Sequence, residues 1–390
     1  MATSPTRSVP AISRDELLQR AAALVPALKQ RAQKAEDLRQ MPPETVADLK
    51  ASGLIDIATP ERFGGNGHEI DLMFNVAMEL GRGCGSTAWC YAVWDIHNWM
   101  LGHWPIEAQE EYFATGPDTL SSSSFAPNGR LEPVDGGFRL SGRWEFSSGS
   151  NAGVWAMLGA MGERGPVFAL VPRPDYTVLE DTWLVSGLKG TGSKDVVVDG
   201  AFVPAHRLMP MMGMGPMSGA WQVHNRDSYR LISMSLLPFT LCSPIVGMAR
   251  GAVEEFTGQM SGKTGPGRGA ESVQVQMRLA ESSAEVDSAV RIIRDNSREM
   301  IERAGAGDTL SELDNARYRR DYGYAAKLCV QAVNRLFEAS GGHGLFASNA
   351  MQRFHRDIHA GSHQAALYWD TIGEAYGRAA LGLPAAETRR

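Results

Sequence analysis

Three histidines stand four residues apart, at His355, His359 and His363. On a helix this spacing puts three imidazoles on one face, as metal ligands require. Arg356 follows the first of them, where a zincin carries its glutamate, and a cation beside a metal site is unfavourable. The segment is therefore read without a metal. Either these are helix histidines satisfied by hydrogen bonds, or one of them faces a cofactor. A second segment is Trp94-Asp-Ile-His97-Asn-Trp99, in a stretch dense in aromatics. An aromatic wall with one imidazole suits a flat apolar molecule carrying an acidic hydrogen. The same residues would also serve to pack a core between domains. A third, Trp144-Glu-Phe146-Ser147-Ser148-Gly149, ends in small hydroxyls and a glycine that let a planar group approach the backbone. Ser-Ser-Gly is equally an ordinary turn. A fourth, Gly341-Gly342-His343-Gly344 followed by Arg353 and Arg356, could meet a phosphate at a helix end. Its plain reading is a glycine cap and a solvated charged turn.

Other motifs fail on context. Gly262-Lys263-Thr264 looks like the end of a phosphate loop, but the required glycine would fall at Thr257 and no strand leads in. No G-x-G-x-x-G follows a strand, and no G-x-S-x-G elbow occurs, so a nicotinamide-binding unit and a hydrolase triad have no support.

The elements that must position these groups follow a simple order. Ser13-x-x-Glu16 forms a capping box before an apolar-periodic run, with Pro26 predicting a kink or early stop. Pro42-Pro43 opens a second helix and Gly53 ends it; Asp71 is expected to cap a third. Residues 86–113 read as one or two more helices, broken near Pro105. From about residue 118 short β-type runs take over: Thr119–Phe125, Phe138–Leu140, Val154–Met161, Val167–Val171 and Val196–Val203. A Met- and Gly-rich connector, Met209–Gly219, precedes a return to helical periodicity. Ser311-x-x-Asp314 caps a long helix that Gly341-Gly342 stops, and a further single helix is expected from Asn349 to Leu381. The fold class is α+β: a helical domain over 12–117, a small β domain over 118–210 and a C-terminal four-helix bundle over 220–384.

The bulk numbers exclude several classes. A chain of 390 residues with formal net charge −6 and no basic run offers no field for nucleic acid. Neither a signal-peptide core nor a long uncharged apolar stretch stands out, so no membrane partner is expected. Four scattered cysteines without a C-x-x-C pair read as free thiols in a reducing compartment, the cytoplasm. The first dozen residues are expected to be disordered.

Taken together, the chain resembles the acyl-CoA dehydrogenase superfamily over about residues 12–384. It looks like the branch of reduced-flavin-dependent monooxygenases that includes the 4-hydroxyphenylacetate and seco-steroid phenol hydroxylases and the dibenzothiophene monooxygenase. The resemblance rests on Gly142-Arg-Trp-Glu-Phe-Ser-Ser-Gly149, Gly187-Leu-Lys-Gly-Thr-Gly-Ser-Lys-Asp195, Val203-Pro-Ala-His-Arg207, Gly341-Gly-His-Gly344 and Gln352-Arg-Phe-His-Arg-Asp-Ile-His359, with Tyr368-Trp-Asp-Thr-Ile-Gly-Glu374. It implies reduced flavin (FAD or FMN) from a separate NAD(P)H:flavin reductase, O2 as co-substrate, a C4a-hydroperoxyflavin and an aromatic or polycyclic substrate. The hydroxyl near the flavin corresponds to Ser148, with Ser147 the near alternative; the C-terminal histidine to His359; the histidine on the substrate phenol to His97. Phe146, Ser147, Ser148, Gly341, Gly342 and Arg353 are the expected cofactor contacts, with the loop at 261–270 near the phosphates. Trp94, His97 and Trp99 are the expected substrate contacts. The family usually forms homotetramers. The alternative is an acyl-CoA dehydrogenase, or an oxygenase acting on a CoA thioester. Against it, the places where dehydrogenases carry their catalytic glutamate fall at Ala365-Ala366 and near Leu236-Leu237, and neither holds a carboxylate. Without that base, proton abstraction would lose on the order of 10²–10⁴-fold.

Overall fold

The computed structural model describes residues 12–263 and 269–385. The expected disorder of the first dozen residues falls outside these up to residue 11, as does the middle of the 261–270 loop.

Ser13 caps α1 (Arg14–Leu38), its hydroxyl accepting from the Glu16 N–H at 3.3 Å. The helix runs straight through Pro26 instead of stopping there. Pro26 lies on the exposed face, and so does Ala22, whose carbonyl loses its partner and is free to meet water. Buried Val25 and Leu28 hold the other face. Next come α2 (Pro43–Ala51), with proline at its first position, and α3 (Asp71–Leu80). Asp71 is not the cap expected of it: Ile70 precedes the helix, and the Asp71 carboxylate takes both arms of Arg14, at 3.1 and 2.5 Å.

In α4 (Gly85–Leu101) every residue is buried, the signature of a helix threaded through a core rather than laid on one. The short α5 (Ile106–Tyr112) leads into the sheet. Its strands are β1 (Ser121–Val134), β2 (Gly137–Ser147), β3 (Trp155–Gly162), β4 (Gly165–Pro172), β5 (Thr177–Leu179), β6 (Lys194–Pro204) and β7 (Leu208–Pro210). The spatial order is β5-β6-β2-β1-β3-β4-β7. Only β1 and β3 run parallel; β1 pairs with β3 through its first half and with β2 through its second. The edge strands β5 and β7, three residues each, escaped the sequence reading because so short a run has no period.

After the short α6 (Ala220–His224) come α7 (Ser233–Ser261), α8 (Val273–Gly305) and α9 (Glu312–Ser340). Ser311 and Asp314 form the expected capping box on α9. The predicted single helix over 349–381 is in fact two, α10 (Ala350–Ser362) and α11 (Trp369–Ala380). Side chains compete for the backbone at the break: His363 Nδ1 donates to the His359 carbonyl at 2.6 Å, and the Gln364 side chain accepts from the Ala366 N–H at 2.6 Å. By length and composition α7 is able to span a membrane, contrary to the sequence expectation, but 83% of its apolar window is buried in the protein.

One core joins the N-terminal and C-terminal helices and takes in Trp155, Met157, Phe168 and Leu170 from one face of the sheet. Ala156, Leu158, Ala169 and Val171 alternate with these and pack with Leu140, Trp144 and Val196 on the other face. The contact of α3 with α7 depends on glycine: a Cβ on Gly247 would lie 2.7 Å from the Met78 carbonyl and 2.9 Å from the Gly81 Cα.

Candidate active site

α4, the end of β2, the turn at 187–193 and α10 converge. Trp89, Val93 and His97 fall at i, i+4 and i+8 on α4 and therefore share a face. From that face Trp89 Nε1 donates to Ser148 Oγ at 3.2 Å, tying α4 to the end of β2. A Cβ on Gly361 of α10 would lie 3.2 Å from the Trp89 ring. The 187–193 turn is pressed so closely to α10 that a Cβ on Gly187 would fall 2.1 Å from the Arg356 carbonyl. Leu188, left-handed at φ 50, is held by its N–H donating to Asp357 Oδ1 at 2.6 Å. Burial drives the Asp357 carboxyl up to about 7, with the bond from Leu188 opposing and Glu36 reinforcing.

His97 is 2% exposed. Its Nδ1 lies 2.8 Å from the Ser121 carbonyl, which only accepts, so Nδ1 carries the hydrogen. Nε2 is then the bare nitrogen, and it accepts from Ser123 Oγ at 2.9 Å. Burial lowers its pKa to about 4 against the bond to Ser121, so the ring is neutral at neutral pH. Ser123 is half-buried and sits at the open end of this pair. Sequence reasoning missed it; the only signal was the run Ser121–Ser124, in which no serine stands out.

Around Ser148 the hydroxyls of Ser193 and Thr191 close in at hydrogen-bond distance. Phe146 is left-handed at φ 63 and its ring is 68% exposed, edge-on to Trp183 at 5.9 Å. The Ser147 hydroxyl is buried and has no partner. An exposed aromatic face, an orphaned buried hydroxyl and a buried serine thus follow one another at the end of β2. At the start of the turn after α9, Gly341 is left-handed at φ 63, and a Cβ on Gly341 or Gly342 would meet only open space.

His359, on α10, is half-buried, with Nε2 2.7 Å from Asn334 Oδ1. Burial and the charge of His363 hold its pKa below the ordinary value. His355 stacks on Phe337 at 4.3 Å and His363 is committed to backbone, so the three equally spaced histidines have separate duties. Arg353 is held by an acidic partner. Its Nε pairs with Glu36 at 3.2 Å, Arg356 reaches the same carboxylate at 2.7 Å, and Glu36 is 7% exposed. One carboxylate shared by two guanidiniums leaves a net positive charge in this cluster, so Glu36 positions Arg353 without discharging it. Burial raises the Glu36 pKa, but the bonds and charges of Arg356 and Arg353 outweigh it and leave the carboxylate ionised.

The structure does not bring Trp99 together with His97. Trp99 lies roughly 160° around α4 from it, taking ~100° per residue. It donates to Ser228 Oγ at 3.1 Å and stacks on Tyr229 at 5.3 Å, and it is 1% exposed. Trp94 lies beneath Gly149, where a Cβ would fall 2.4 Å from its Nε1. It walls a separate cleft of about 500 Å³ with Val46, Lys50, Asp118, Leu120 and Val154. None of His97, Ser148 or His359 lines that cleft, and its charged groups, Lys50 and Asp118, pair with each other at 3.3 Å. At the two places a dehydrogenase base would occupy, Leu236 and Leu237 are buried on α7, and Ala365 and Ala366 form a tight turn.

Comparison with known proteins gives the family and the fold. The family model for the acyl-CoA dehydrogenase N-terminal domain matches residues 14–116, and that for the C-terminal domain matches residues 239–368. The oxygenase subunit HsaA of a flavin-dependent monooxygenase from Rhodococcus jostii (strain RHA1) is 33% identical, over 95% of this chain and 100% of its own length. The oxygenase component of an FADH2-dependent resorcinol hydroxylase from Rhizobium sp. (strain MTP-10005) is 33% identical, over 98% of this chain and 97% of its own. The crystal structure of 3-HSA hydroxylase from Rhodococcus sp. RHA1 superposes with a TM-score of 0.91 at 33% identity, covering 96% of this chain and 100% of that one.

Proposed function

The chain belongs to the acyl-CoA dehydrogenase family, and from that premise we propose that it is the oxygenase component of a two-component flavin-dependent monooxygenase acting on an aromatic, phenolic substrate. The observation that carries the reading is the neutral, buried His97 whose bare nitrogen is held on a half-exposed serine hydroxyl. That is a proton acceptor for a phenol. A dehydrogenase needs a carboxylate base instead, and its two places are apolar. The close relatives named above are oxygenase components and a phenol hydroxylase.

When bound, reduced flavin supplies the two electrons with which dioxygen is split, one oxygen atom entering the substrate and the other leaving as water. A separate flavin reductase delivers it. Phe146 offers a ring face to the flavin, Ser148 a hydrogen-bonding oxygen to its central ring, and Ser147 the nearest alternative. Gly341 and Gly342 leave room for phosphate, and Arg353, positioned by Glu36 in a cluster that keeps one positive charge, is assigned to it. Ser123 receives the substrate's phenolic hydrogen bond, and His97 takes the proton at Nε2 through the serine hydroxyl, leaving an electron-rich ring. His97 Nδ1 stays on the Ser121 carbonyl throughout, which fixes the tautomer. His359, with Nε2 fixed by Asn334, holds a proton at the oxygen side of the flavin. The buried packing of α4 keeps water from this proton path.

The chain is further read as a cytoplasmic homotetramer. All four cysteines are free and buried, which suits a reducing compartment. Val273 and Met277 on α8, with Leu345, Phe346 and Tyr368, expose large apolar side chains on the helical half, as a subunit contact would.

The test supplies chemically reduced flavin, dioxygen and simple phenols such as resorcinol, with no reductase present. Ring hydroxylation carrying oxygen from isotopically heavy dioxygen is expected. Dye reduction driven by an acyl-CoA, with no oxygen incorporated into any phenol, overturns the reading in favour of a dehydrogenase.

A further inference from the structure

Four side chains stand in single file at Ser148. Trp89 Nε1 lies 3.2 Å from Ser148 Oγ, and Ser148 Oγ lies 2.8 Å from Ser193 Oγ. Ser193 Oγ lies 2.7 Å from Thr191 Oγ1, which lies 2.8 Å from the Leu188 carbonyl oxygen. Each hydroxyl has one hydrogen and the carbonyl has none. Two oxygens this close attract only if a hydrogen lies between them. The file therefore has one direction. Thr191 spends its hydrogen on the Leu188 carbonyl, so Ser193 must donate to Thr191, and Ser148 must donate to Ser193. Trp89 arrives at Ser148 as a second donor. Ser148 Oγ is left with no hydrogen to give and a lone pair to offer. Trp89 and Ser148 are each 8% exposed, Ser193 4% and Thr191 1%, so little solvent is available to reorient the file.

We propose that this file makes the site selective for the redox state of its flavin, with Thr191 and Ser193 as the positioning residues that fix Ser148 as an acceptor. The proposal rests on the reading above that Ser148 faces the central flavin ring. Reduced flavin carries a hydrogen on the N5 nitrogen of that ring and can donate it. Oxidised flavin presents a lone pair there, which would oppose the lone pair of Ser148 in a buried place. Ser148 could turn to donate only if the whole file reversed, giving up the Thr191 bond to Leu188 and setting two oxygens 2.8 Å apart without a hydrogen. The discrimination is thus set two residues behind the group that touches the cofactor. Trp89 contributes affinity to Ser148 but not direction.

The experiment measures dissociation constants for oxidised flavin, and anaerobically for reduced flavin, on the full chain and its variants, with no turnover required. Thr191→Val and Ser193→Ala free the Ser148 hydrogen. Each is expected to tighten oxidised-flavin binding and shrink the ratio of the two constants roughly tenfold, the size of one buried hydrogen bond. Thr191→Ser keeps the hydroxyl and is expected to restore the wild-type ratio. Trp89→Phe leaves the file's direction intact and is expected to hold the ratio within about twofold. If Ser148→Ala changes the ratio but Thr191→Val and Ser193→Ala do not, the directional file is overturned while the placement of Ser148 stands. If Ser148→Ala alters neither constant, Ser148 does not face the flavin, and both readings fall.

Discussion

His97 has both ring nitrogens engaged by β1, one by a carbonyl and one by a hydroxyl, and no charged partner. Replacing it by glutamine keeps polar reach but removes the base. Hydroxylation is expected to fall by about 10²–10³-fold, while hydrogen peroxide release continues; product and peroxide are both assayed, and a variant with wild-type product yield excludes His97 as the base. The same histidine bears on stability. Its folded pKa, about 4, lies below the ordinary imidazole value of 6.5. Between those values the unfolded chain binds a proton that the folded chain refuses, so stability falls as pH drops through that window and is fully present above it. The gap corresponds to about 3 kcal/mol. His224, also lowered by burial to about 4, acts in the same sense. Denaturant titrations of His97→Gln are expected to show a shallower loss between pH 6.5 and 4 than the wild type. His97 was legible in the sequence because an imidazole between tryptophans is conspicuous. Ser123 was not, because four serines in a row differ only by which face of β1 each one takes, and register decides that.

Among the elements, α4 and α7 carry the arrangement. Gly247 lets α7 lie against α3 at backbone contact, and its neighbours there are a carbonyl and a Cα rather than yielding side chains. Gly247→Ala is expected to destabilise the protein by about 2–3 kcal/mol. Chemical denaturation measures it, and an unchanged midpoint would mean that the two helices can separate at little cost. The elements also mark where local rules lose. Pro26 reads as a kink or an early stop, and of the two the stop does not occur: α1 continues because its exposed face tolerates the missing bond. The unbroken periodicity over 349–381 hid the break after Ser362, which side-chain hydrogen bonds to the backbone create.

At the scale of the molecule, a core shared by the helices before and after the sheet brings α4 against α10 and against the end of β2, with α10 against the 187–193 turn. Two of the apolar side chains left outside that core, Met277 at 67% and Phe346 at 60% exposure, lie on the helical half. Light scattering of the purified protein is expected to give four times the mass of one chain. Charged substitution at these two positions is expected to shift it to a smaller species. A monomeric wild type would reject the tetramer.

The sequence by itself determined the order of helices, sheet and bundle, the capped starts of the first and ninth helices, and the family resemblance. These are set by periodicity and by residue types that few other duties explain. Only the tertiary structure decided their partners. It set Arg353 on Glu36, turned Trp99 to the far side of α4, gave Ser123 to His97, and lined up Thr191, Ser193 and Ser148 in one direction. Each of these contacts joins residues far apart in the chain or depends on which way a side chain faces. A period of 3.6 or 2 tells which face a residue shares, but not what will be packed against it.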